Sequence, residues 1–386
     1  MTPAARVSAA IEILDAVLDG ARAETALTRW GRVNRYAGSK DRAAIRDHVF
    51  DALRQRDSAL SRVGGARTGR SLMLGILHLQ GVDLDAIFND ARYAPVPLSA
   101  DEGRFKTPTT DWLNCDISEW LWPHWCHSLG DQAISIAKVL QQRAPVFLRV
   151  NLLKATVDQA CASLSEAGYD VSPHPEVSTA LRVTGRTAGL QATEAFLNGL
   201  IELQDASSQA SVALLDPKHN GLVLDYCAGG GGKSLALAAW LGGSVHAHDV
   251  NLRRMVDLPA RAERANAAIS IRTKDQFAPE YGVVFCDVPC SGSGSWRRDP
   301  EGKWALTQDQ LDALITTQRE ILSDVAKLVA PDGRLVYATC SVLTCENQDQ
   351  IDWFTAQNPT WRVEIQNQWI PSVHGDGFFA SVLAQP

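Results

Sequence analysis

Residues 221–243 read GLVLDYCAGGGGKSLALAAWLGG: an apolar run, four consecutive glycines, then a second apolar run. The first run has the length and composition of a buried strand, and the second continues as a helix that stops at Gly242 and Gly243. A turn built on glycine lets the backbone come close to a ligand, because no Cβ stands in the way. The remainder of the chain repeats the pattern. "SVHAHDV", "ISIRT", "YGVVFCDV", "GRLVYATC" and "GFFASVL" read as strands, separated by helices over "NLRRMVDLPARAERANA", from about 307 to 329 and near 346–357. Apolar strands alternating with helices predict an α/β fold with a doubly wound, mostly parallel sheet. Such sheets hold their ligands at the carboxyl ends of the strands.

Three kinds of ligand suit a glycine-rich strand-to-helix turn. A phosphate-binding loop needs G-x-x-x-x-G-K-[ST]; Gly232, Lys233 and Ser234 fit its end, but its first glycine falls on Cys227. A dinucleotide fingerprint needs more widely spaced glycines. Here the first strand ends in Asp225 and the second in Asp249, 16 residues after Lys233. That arrangement suits an adenosine whose ribose hydroxyls are held by Asp249, with the loop backbone against a compact ligand. A bare turn with no ligand is the alternative, and the second acid speaks against it.

Ahead of this region the chain changes character. Residues 5–65 read as helices. Ile11, Leu14, Val17 and Leu18 recur at helical spacing, as do Ile45, Val49, Phe50 and Leu53 in a segment that Ser39 or Asp41 would cap. "RSLMLGILHLQG" reads as a further buried helix, and residues 90–130, rich in Trp and Pro, as irregular. From about 145, "VFLRVNLLKA", "ALRVTG" and "LIELQD" read as strands around a helix over "TVDQACASLSEAGY". The expected domains are a helical one at 1–85, a linker packed on the body at 86–140, a small α/β subdomain at 141–205 and the large α/β domain at 206–386.

The net charge is −7, which alone argues mildly against a nucleic-acid partner. It is unevenly spread: residues 1–72 carry twelve arginines and Lys40 against eight acids, a net of +5, so the remainder carries −12. A basic front on an acidic body still suits a polyanion, though an arginine-rich solvated surface is the plainer reading. No uncharged apolar stretch is long enough to span a membrane, and the first 20 residues lack the form of a signal peptide. The eight cysteines include no C-x-x-C pair, so free thiols, no metal and a cytoplasmic setting are expected.

Two of those cysteines sit in turns that follow apolar strands: Cys290 in "DVPCSGSGSW", three residues after Asp287, and Cys340 in "YATCSVLTCEN". Cys227 and Cys286 read as small core residues. A thiolate and an acid beside an adenosine-bearing ligand suit one chemistry in particular. C5 of cytosine is a poor nucleophile, but a thiolate that adds to C6 turns the base into an enamine whose C5 takes an electrophilic methyl group. A carboxyl group hydrogen-bonded to N3 and N4 stabilises the charge that develops. A base then removes the C5 proton, the thiolate leaves, and a second thiol is placed to assist.

The segments LDYCAGGGGKS, HDVNLRR, CDVPCSGSGSWRRDPEGKW, LVYATCSVLTCEN and GDGFFASVL resemble the motifs of the NOL1/NOP2/Sun RNA cytosine-C5 methyltransferases, specifically their bacterial RsmB-like group. IELQDASSQ resembles that family's lead-in to the catalytic core, FLRVNLLKAT its RRM-like subdomain, and residues 5–65 its NusB-like RNA-binding domain. The resemblance is specific over 203–350 and loose before 140. It implies a Rossmann-like class I methyltransferase domain with S-adenosyl-L-methionine held by Cys227, Ala228, Gly229, Gly230, Gly231, Gly232 and Lys233. Asp249 would hold the ribose and Asp275 the adenine side. Asp287 would contact the base with Lys233 orienting it, Cys340 would be the nucleophile on C6, and Cys290 would promote product release. DNA cytosine methyltransferases use the cysteine of their Pro-Cys motif, so having both motifs favours the RNA family. The family's loop usually reads Cys-Ala-Ala-Pro-Gly-Gly-Lys; Gly229 and Gly230 replace Ala and Pro here, which implies a looser loop and weaker cofactor affinity.

In "SWRRDPEGKW", Arg297, Arg298 and Lys303 are expected to reach RNA phosphates and Trp296 to stack on a splayed base, while Trp304 anchors the loop. The RsmB-like resemblance points to 16S ribosomal RNA and to a monomer. A transfer RNA substrate, and a non-catalytic RNA-binding or ribosome-assembly factor that keeps the fold, are the alternatives.

Overall fold

The computed structural model describes residues 1–64, 66–217 and 221–385. It divides into two compact units: residues 1–143 together with 296–305, and residues 144–295 together with 306–386.

The first unit is helical. Helices α1 (Pro3–Leu18), α2 (Ala23–Val33), α3 (Ser39–Arg54), α4 (Arg56–Val63) and α5 (Gly69–Leu79) bury one apolar stripe each. Val7, Ala10, Ile13 and Leu14 of α1 meet Ile45, Val49 and Leu53 of α3 and Leu72, Met73 and Ile76 of α5 in a single core. Thr2 caps α1 by accepting the Ala5 N–H at 3.1 Å. Neither Ser39 nor Asp41 caps α3: the N-cap is Gly38, and Asp41 in the first turn binds the N-terminal amine and Arg6 instead. The segment expected to be irregular is helical after residue 110, with α6 (Asp111–Asn114), α7 (Trp122–Leu129) and α8 (Ala133–Leu140). Pro123 stands in the first turn of α7, where its missing N–H costs nothing. Trp125 is fully buried and donates its Nε1–H to the Ala133 carbonyl at 2.9 Å.

Residues 296–305 correct the expectation of an RNA-contacting loop. Trp296 and Arg297 are 2% exposed and Lys303 is 3% exposed. Trp296 stacks on Trp125 with ring centroids 5.9 Å apart. The reason lies at the end of α3, where the last carbonyls of any helix lack partners. Lys303 Nζ donates to Arg54 O at 3.0 Å and Trp304 Nε1 to Leu53 O at 2.7 Å. Arg54 Nε in turn donates to Arg297 O at 2.7 Å. A cation at a helix carboxyl end is also favoured by the helix dipole, although burial pulls the Lys303 ammonium down to a pKa of about 8. The segment forms its own short helix, α14 (Pro300–Ala305), whose Glu301 accepts the Ala23 N–H of α2 at 2.9 Å. Of the four residues expected to touch RNA, only Arg298 is exposed.

The second unit holds two sheets. The small one has order β2-β3-β1-β4, all antiparallel, from β1 (Val146–Val150), β2 (Asp170–Pro173), β3 (Ala180–Thr184) and β4 (Ile201–Leu203). Helix α9 (Val157–Glu166) follows β1, and Ala160 and Leu164 pack on it. The short helices α10 (Glu194–Leu197) and α11 (Ala206–Ala213) lead to the large sheet.

That sheet has order β10-β11-β9-β8-β5-β6-β7. Its strands are β5 (Val223–Asp225), β6 (Val245–Ala247), β7 (Ile269–Ile271), β8 (Tyr281–Asp287), β9 (Val329–Thr339), β10 (Arg362–Trp369) and β11 (Phe378–Ala384). β5 to β9 are parallel; β11 runs antiparallel to both β9 and β10. The crossovers include α12 (Gly232–Leu241), α13 (Leu258–Ala265), α15 (Gln308–Val325) and α16 (Gln348–Gln357). Alternate residues of β8 serve opposite faces: Val283 and Phe285 pack with Leu237 of α12, while Val284 and Cys286 pack with Leu322, Val325 and Phe354 of α15 and α16. β10 is not among the strands read from the sequence; it is an outer strand with mostly exposed side chains, and its alternation of Val363 and Ile365 stops at Asn367.

Removing the Trp296 indole empties a fully buried site. Trp296→Ala is expected to cost the helical unit about 3–5 kcal/mol, the usual range for a buried aromatic, whereas Arg29→Ala, at an exposed position of α2, stays within about 0.5 kcal/mol. Denaturant unfolding of the two variants checks this; equal, small losses would return Trp296 to the surface.

Candidate active site

In the large sheet the strands run outward in opposite directions from the β5–β8 pair, so the crevice of a doubly wound sheet opens at the carboxyl ends of those two strands. Asp225 and Asp287 are the last residues of β5 and β8, and Cys340 directly follows β9. A cleft of about 710 Å³ lies there, lined among others by Gly229, Gly230, Asp249, Asp287, Cys290 and Cys340. The volume falls in the range of small-molecule sites, roughly 300–1,000 Å³.

The glycine loop is held on both sides. Asp249, 2% exposed, accepts the Gly229 N–H at 2.9 Å and the Asn251 N–H at 2.8 Å, and pairs with Arg254 at 3.1 Å. Arg261 of α13 donates to Gly230 O, and buried Arg149 of β1 donates to Gly232 O at 2.7 Å and to Gln204 at 2.5 Å. Glu202 of β4 pairs with Arg261 at 3.1 Å and also with Arg264. The small subdomain therefore supplies much of the loop's support. Gly229 and Gly231 adopt left-handed φ values of +53° and +80°. A Cβ on Gly231 would overlap Leu258, and one on Gly229 would press on Arg254. Below the loop, buried Asp225 accepts the Ser234 hydroxyl at 2.6 Å through Oδ2, and its Oδ1 has no partner. Burial raises this carboxyl to a pKa of about 7.

These features fit an adenosine ligand: a backbone surface with no side chains, and a carboxylate at the end of the neighbouring strand. Cys227, Ala228, Gly229, Gly230, Gly232, Lys233, Asp249 and Asp287 all line the cleft. Gly231 is buried beneath the loop, where it accepts no substituent. Asp275, expected on the adenine side, is not brought to the cleft; it is exposed in a short turn at Lys274–Gln276, and its neighbour Lys274 lines the cleft instead.

At the other end, Lys233 Nζ lies 2.6 Å from Asp287 Oδ2 and 4.7 Å from the Phe378 ring centroid. Its ammonium is thus engaged with the acid rather than with solvent. The sulfurs of Cys290 and Cys340 are 3.4 Å apart. Either thiol can donate in this contact, and the contact together with the Lys233 charge pulls Cys340 below the ordinary thiol range against burial and Asp287. Cys290 is pushed well above that range by the same contact and by burial. The other thiols are inert by comparison: burial raises Cys227 and Cys286, and Cys345 to about 12.

The roles of several site residues were not legible in the sequence. Arg149, Gln204 and Arg261 donate to loop carbonyls and Glu202 pairs with Arg261; Arg149, Glu202 and Gln204 lie in segments that resemble the family's, but no spacing rule marks what they do. Glu320 and Asp324 of α15 line the cleft from a helix that reads simply as amphipathic. Glu346 is fully buried between the two cysteine turns; its place in "TCEN" next to Cys345 was the available clue.

The loop geometry separates two glycines. Gly231→Ala should abolish binding of an adenosyl ligand and lower the melting temperature. Gly230→Ala, whose Cβ would sit 3.5 Å from Arg261 Nη1, should change ligand affinity by less than about threefold. Calorimetric titration with S-adenosylhomocysteine reads both; equal effects would refute this account of the loop.

Comparison with known proteins gives the chain a family. A family model described as 16S rRNA methyltransferase RsmB/F matches residues 212–383, and one for the ferredoxin-like domain of the RsmF/B-like methyltransferases matches 117–188. A Cronobacter sakazakii protein named ribosomal RNA small subunit methyltransferase B is 32% identical over 289 residues, 69% of this chain and 67% of that protein. The first four such local alignments span 61–67% of the relatives' length. A protein of the same name from Pectobacterium atrosepticum is 28% identical over 98% of both chains. Among solved structures, a methyltransferase homologue from Pyrococcus horikoshii shares the fold with a TM-score of 0.63 at 24% identity, over 72% of this chain and 98% of its own. The chain belongs to the RsmB/F family of 16S ribosomal RNA methyltransferases.

Proposed function

We propose that this protein methylates C5 of a cytosine in small-subunit ribosomal RNA, with S-adenosyl-L-methionine as methyl donor. The observation that carries the reading is the pair of touching thiols beside an acid–lysine pair at the mouth of a glycine-walled cleft. Bound in that cleft, the cofactor supplies an electrophilic methyl group. Cys340, the more acidic thiol, attacks C6 of the target base and the C5–C6 electrons become available at C5. Lys233 occupies Asp287 Oδ2, so Oδ1 is the oxygen available to the base edge, where it stabilises charge on the ring. After methyl transfer a base removes the C5 proton, the electrons reform C5–C6 and the Cys340 thiolate leaves, with Cys290 as its proton source. The target base must leave its stack to reach the turn. Among the described residues no group of side chains could hold a metal ion and no helix is long and apolar enough to cross a membrane.

We place the RNA grip of the helical unit, the NusB-like domain of this reading, on a second cleft of about 600 Å³ lined by Arg32, Arg35, Arg42 and Arg46 of α2, α3 and the turn between them. Glu24 neutralises Arg46 by a two-pronged pair; Arg42 Nε donates to Ala37 O at 2.9 Å, which holds its guanidinium in place. With one acid against four cations the cleft suits RNA phosphates. The enzyme is taken to act as a monomer.

Labelled S-adenosylmethionine with unmodified ribosomal and transfer RNA tests the activity. Cys340→Ala should lower methyl transfer on the order of a thousandfold or more, and Cys290→Ala should accumulate a covalent protein–RNA adduct. Label in transfer RNA alone would move the substrate; no transfer to any RNA, with cofactor bound, would favour an assembly factor. Arg32→Ala combined with Arg35→Ala should weaken RNA binding and flatten its salt dependence by about 0.7–0.9 in log–log slope for every phosphate that the protein ceases to neutralise, without changing cofactor affinity. An unchanged slope would place the RNA elsewhere.

A further inference from the structure

Beside the arginine cleft of the helical unit lies a second cavity, of about 510 Å³. Ala5, Ala9 and Glu12 of α1 line it, with Trp30 of α2, Tyr36 of the turn after α2 and Tyr93 of the loop after α5. Trp30 lines both cavities, which sets them side by side. Of the six tyrosines in the chain, Tyr169, Tyr226, Tyr281 and Tyr337 are buried, whereas Tyr36 is 72% exposed and Tyr93 68%. The two rings left in water thus belong to one cavity. A ring in water forgoes the burial it could gain, so two of them at one site point to a ligand that covers them.

The two tyrosines are also presented in the same way. Asn34-Arg35-Tyr36-Ala37 and Ala91-Arg92-Tyr93-Ala94 share the sequence Arg-Tyr-Ala. Both are turns, closed by the Ala37 N–H to Asn34 O at 3.1 Å and by the Ala94 N–H to Ala91 O at 2.8 Å. In the first turn the arginine lines the arginine cleft and the tyrosine next to it lines this cavity. In the second, the Arg92 guanidinium lies over the Tyr93 ring, 4.9 Å from its centroid. Tyr93 has a φ of +70°, a left-handed conformation that glycine adopts freely and a bulky residue does not. A ring carried on strained backbone and left in water marks a position where the ring itself is needed.

The lining selects which part of a nucleic acid enters. Glu12 accepts the Trp30 Nε1–H at 3.1 Å, and the Met1 amine at the cavity edge is taken by Asp41 at 3.2 Å. The lining residues therefore hold a carboxylate and no unpaired cation, which disfavours phosphate. Aromatic faces beside a hydrogen-bond acceptor suit a nucleobase, which stacks through its ring and offers amino groups at its edge. The adjoining cleft, with four arginines against Glu24, suits the phosphates on either side of that base.

We propose that this cavity is a nucleobase-stacking site: an unpaired base of single-stranded RNA stacks on Tyr36 and Tyr93 while Arg32 and Arg35 hold the neighbouring phosphates. The inference rests on RNA being the partner of the helical unit, as proposed above, and adds that the RNA bound there is single-stranded.

Fluorescence anisotropy tests this with the whole protein, a short single-stranded RNA and a strand of equal length that lacks its bases. Wild type should bind the base-bearing strand about five- to 140-fold more tightly, the worth of one stacked base, with the same salt slope for both strands. Tyr36→Ala and Tyr93→Ala should each lose most of that preference and bind the abasic strand as wild type does. Tyr36→Phe and Tyr93→Phe keep the ring and should keep the preference. Both side chains are exposed, so thermal melting followed by circular dichroism should be unchanged in all four variants. A preference that survives in the alanine variants, or a loss equally large on the abasic strand, would overturn the proposal and leave the cavity to a protein partner. So would equal binding of the two strands by wild type, a comparison that needs no variant to fold. Wild type that binds neither strand would overturn the RNA grip itself, whereas salt-dependent binding without a base preference would overturn the stacking site alone.

Discussion

The reversal of strand order between β5 and β8 governs everything the second unit can do. Two parallel strands that are neighbours in the sheet, but whose crossovers depart in opposite directions, leave an uncovered crevice at their carboxyl ends. Asp225 and Asp287 end those strands, and Lys233, from the first turn of the helix that leaves β5, reaches across to Asp287. That single ion pair ties the cofactor half of the cleft to the half that carries the thiols. The Lys233 side chain is 11% exposed and that of Asp287 31%, so the ammonium, the more deeply buried of the two, depends on the acid as its partner.

A loop of four glycines gains access to a ligand at the cost of its own rigidity. The structure supplies the rigidity from outside. Arg149 and Arg261 bond the carbonyls of Gly232 and Gly230, Asp249 bonds the N–H of Gly229, and Glu202 orients Arg261. Two of those four side chains belong to the small antiparallel sheet, which otherwise carries no residue of the reacting centre. Its contribution to the site is thus mechanical: it holds a main chain that lacks the alanine and proline of related loops.

What could be read in advance follows from how each feature is encoded. β5, β8 and the second half of β9 are buried on both faces and appear as short apolar runs, so the strands and the residues at their ends were legible. β2 and β10 are edge strands with mostly exposed side chains, and their sequences "DVSP" and "RVEIQNQW" carry only one apolar residue or a short, interrupted alternation. Residues 296–305 misled for a related reason. Arginine, lysine and tryptophan in a turn after a cysteine expected to act in catalysis look like an RNA contact, and only the unsatisfied carbonyls at the end of α3, more than 240 positions away, show why Lys303 and Trp304 are turned inward. The quoted segment LVYATCSVLTCEN contains Glu346, but its role was not legible, because a buried carboxylate bridging two turns has no spacing rule and exists as a feature only once both turns are folded.

Attack and release place opposite demands on a thiol. A nucleophile must shed its proton before it reacts, while a leaving thiolate is stabilised by regaining one. A lone cysteine must compromise. Two sulfurs 3.4 Å apart need not, because in the proposed cycle one can attack as a thiolate while the other holds a proton within reach. When the Cys340 sulfur bonds to carbon, the proton on its neighbour stays beside the bond that must later break. The same contact therefore serves both halves of the proposed cycle. Cys290→Ala would leave a site that can still form its adduct through Cys340 yet lacks the group that lets the adduct go.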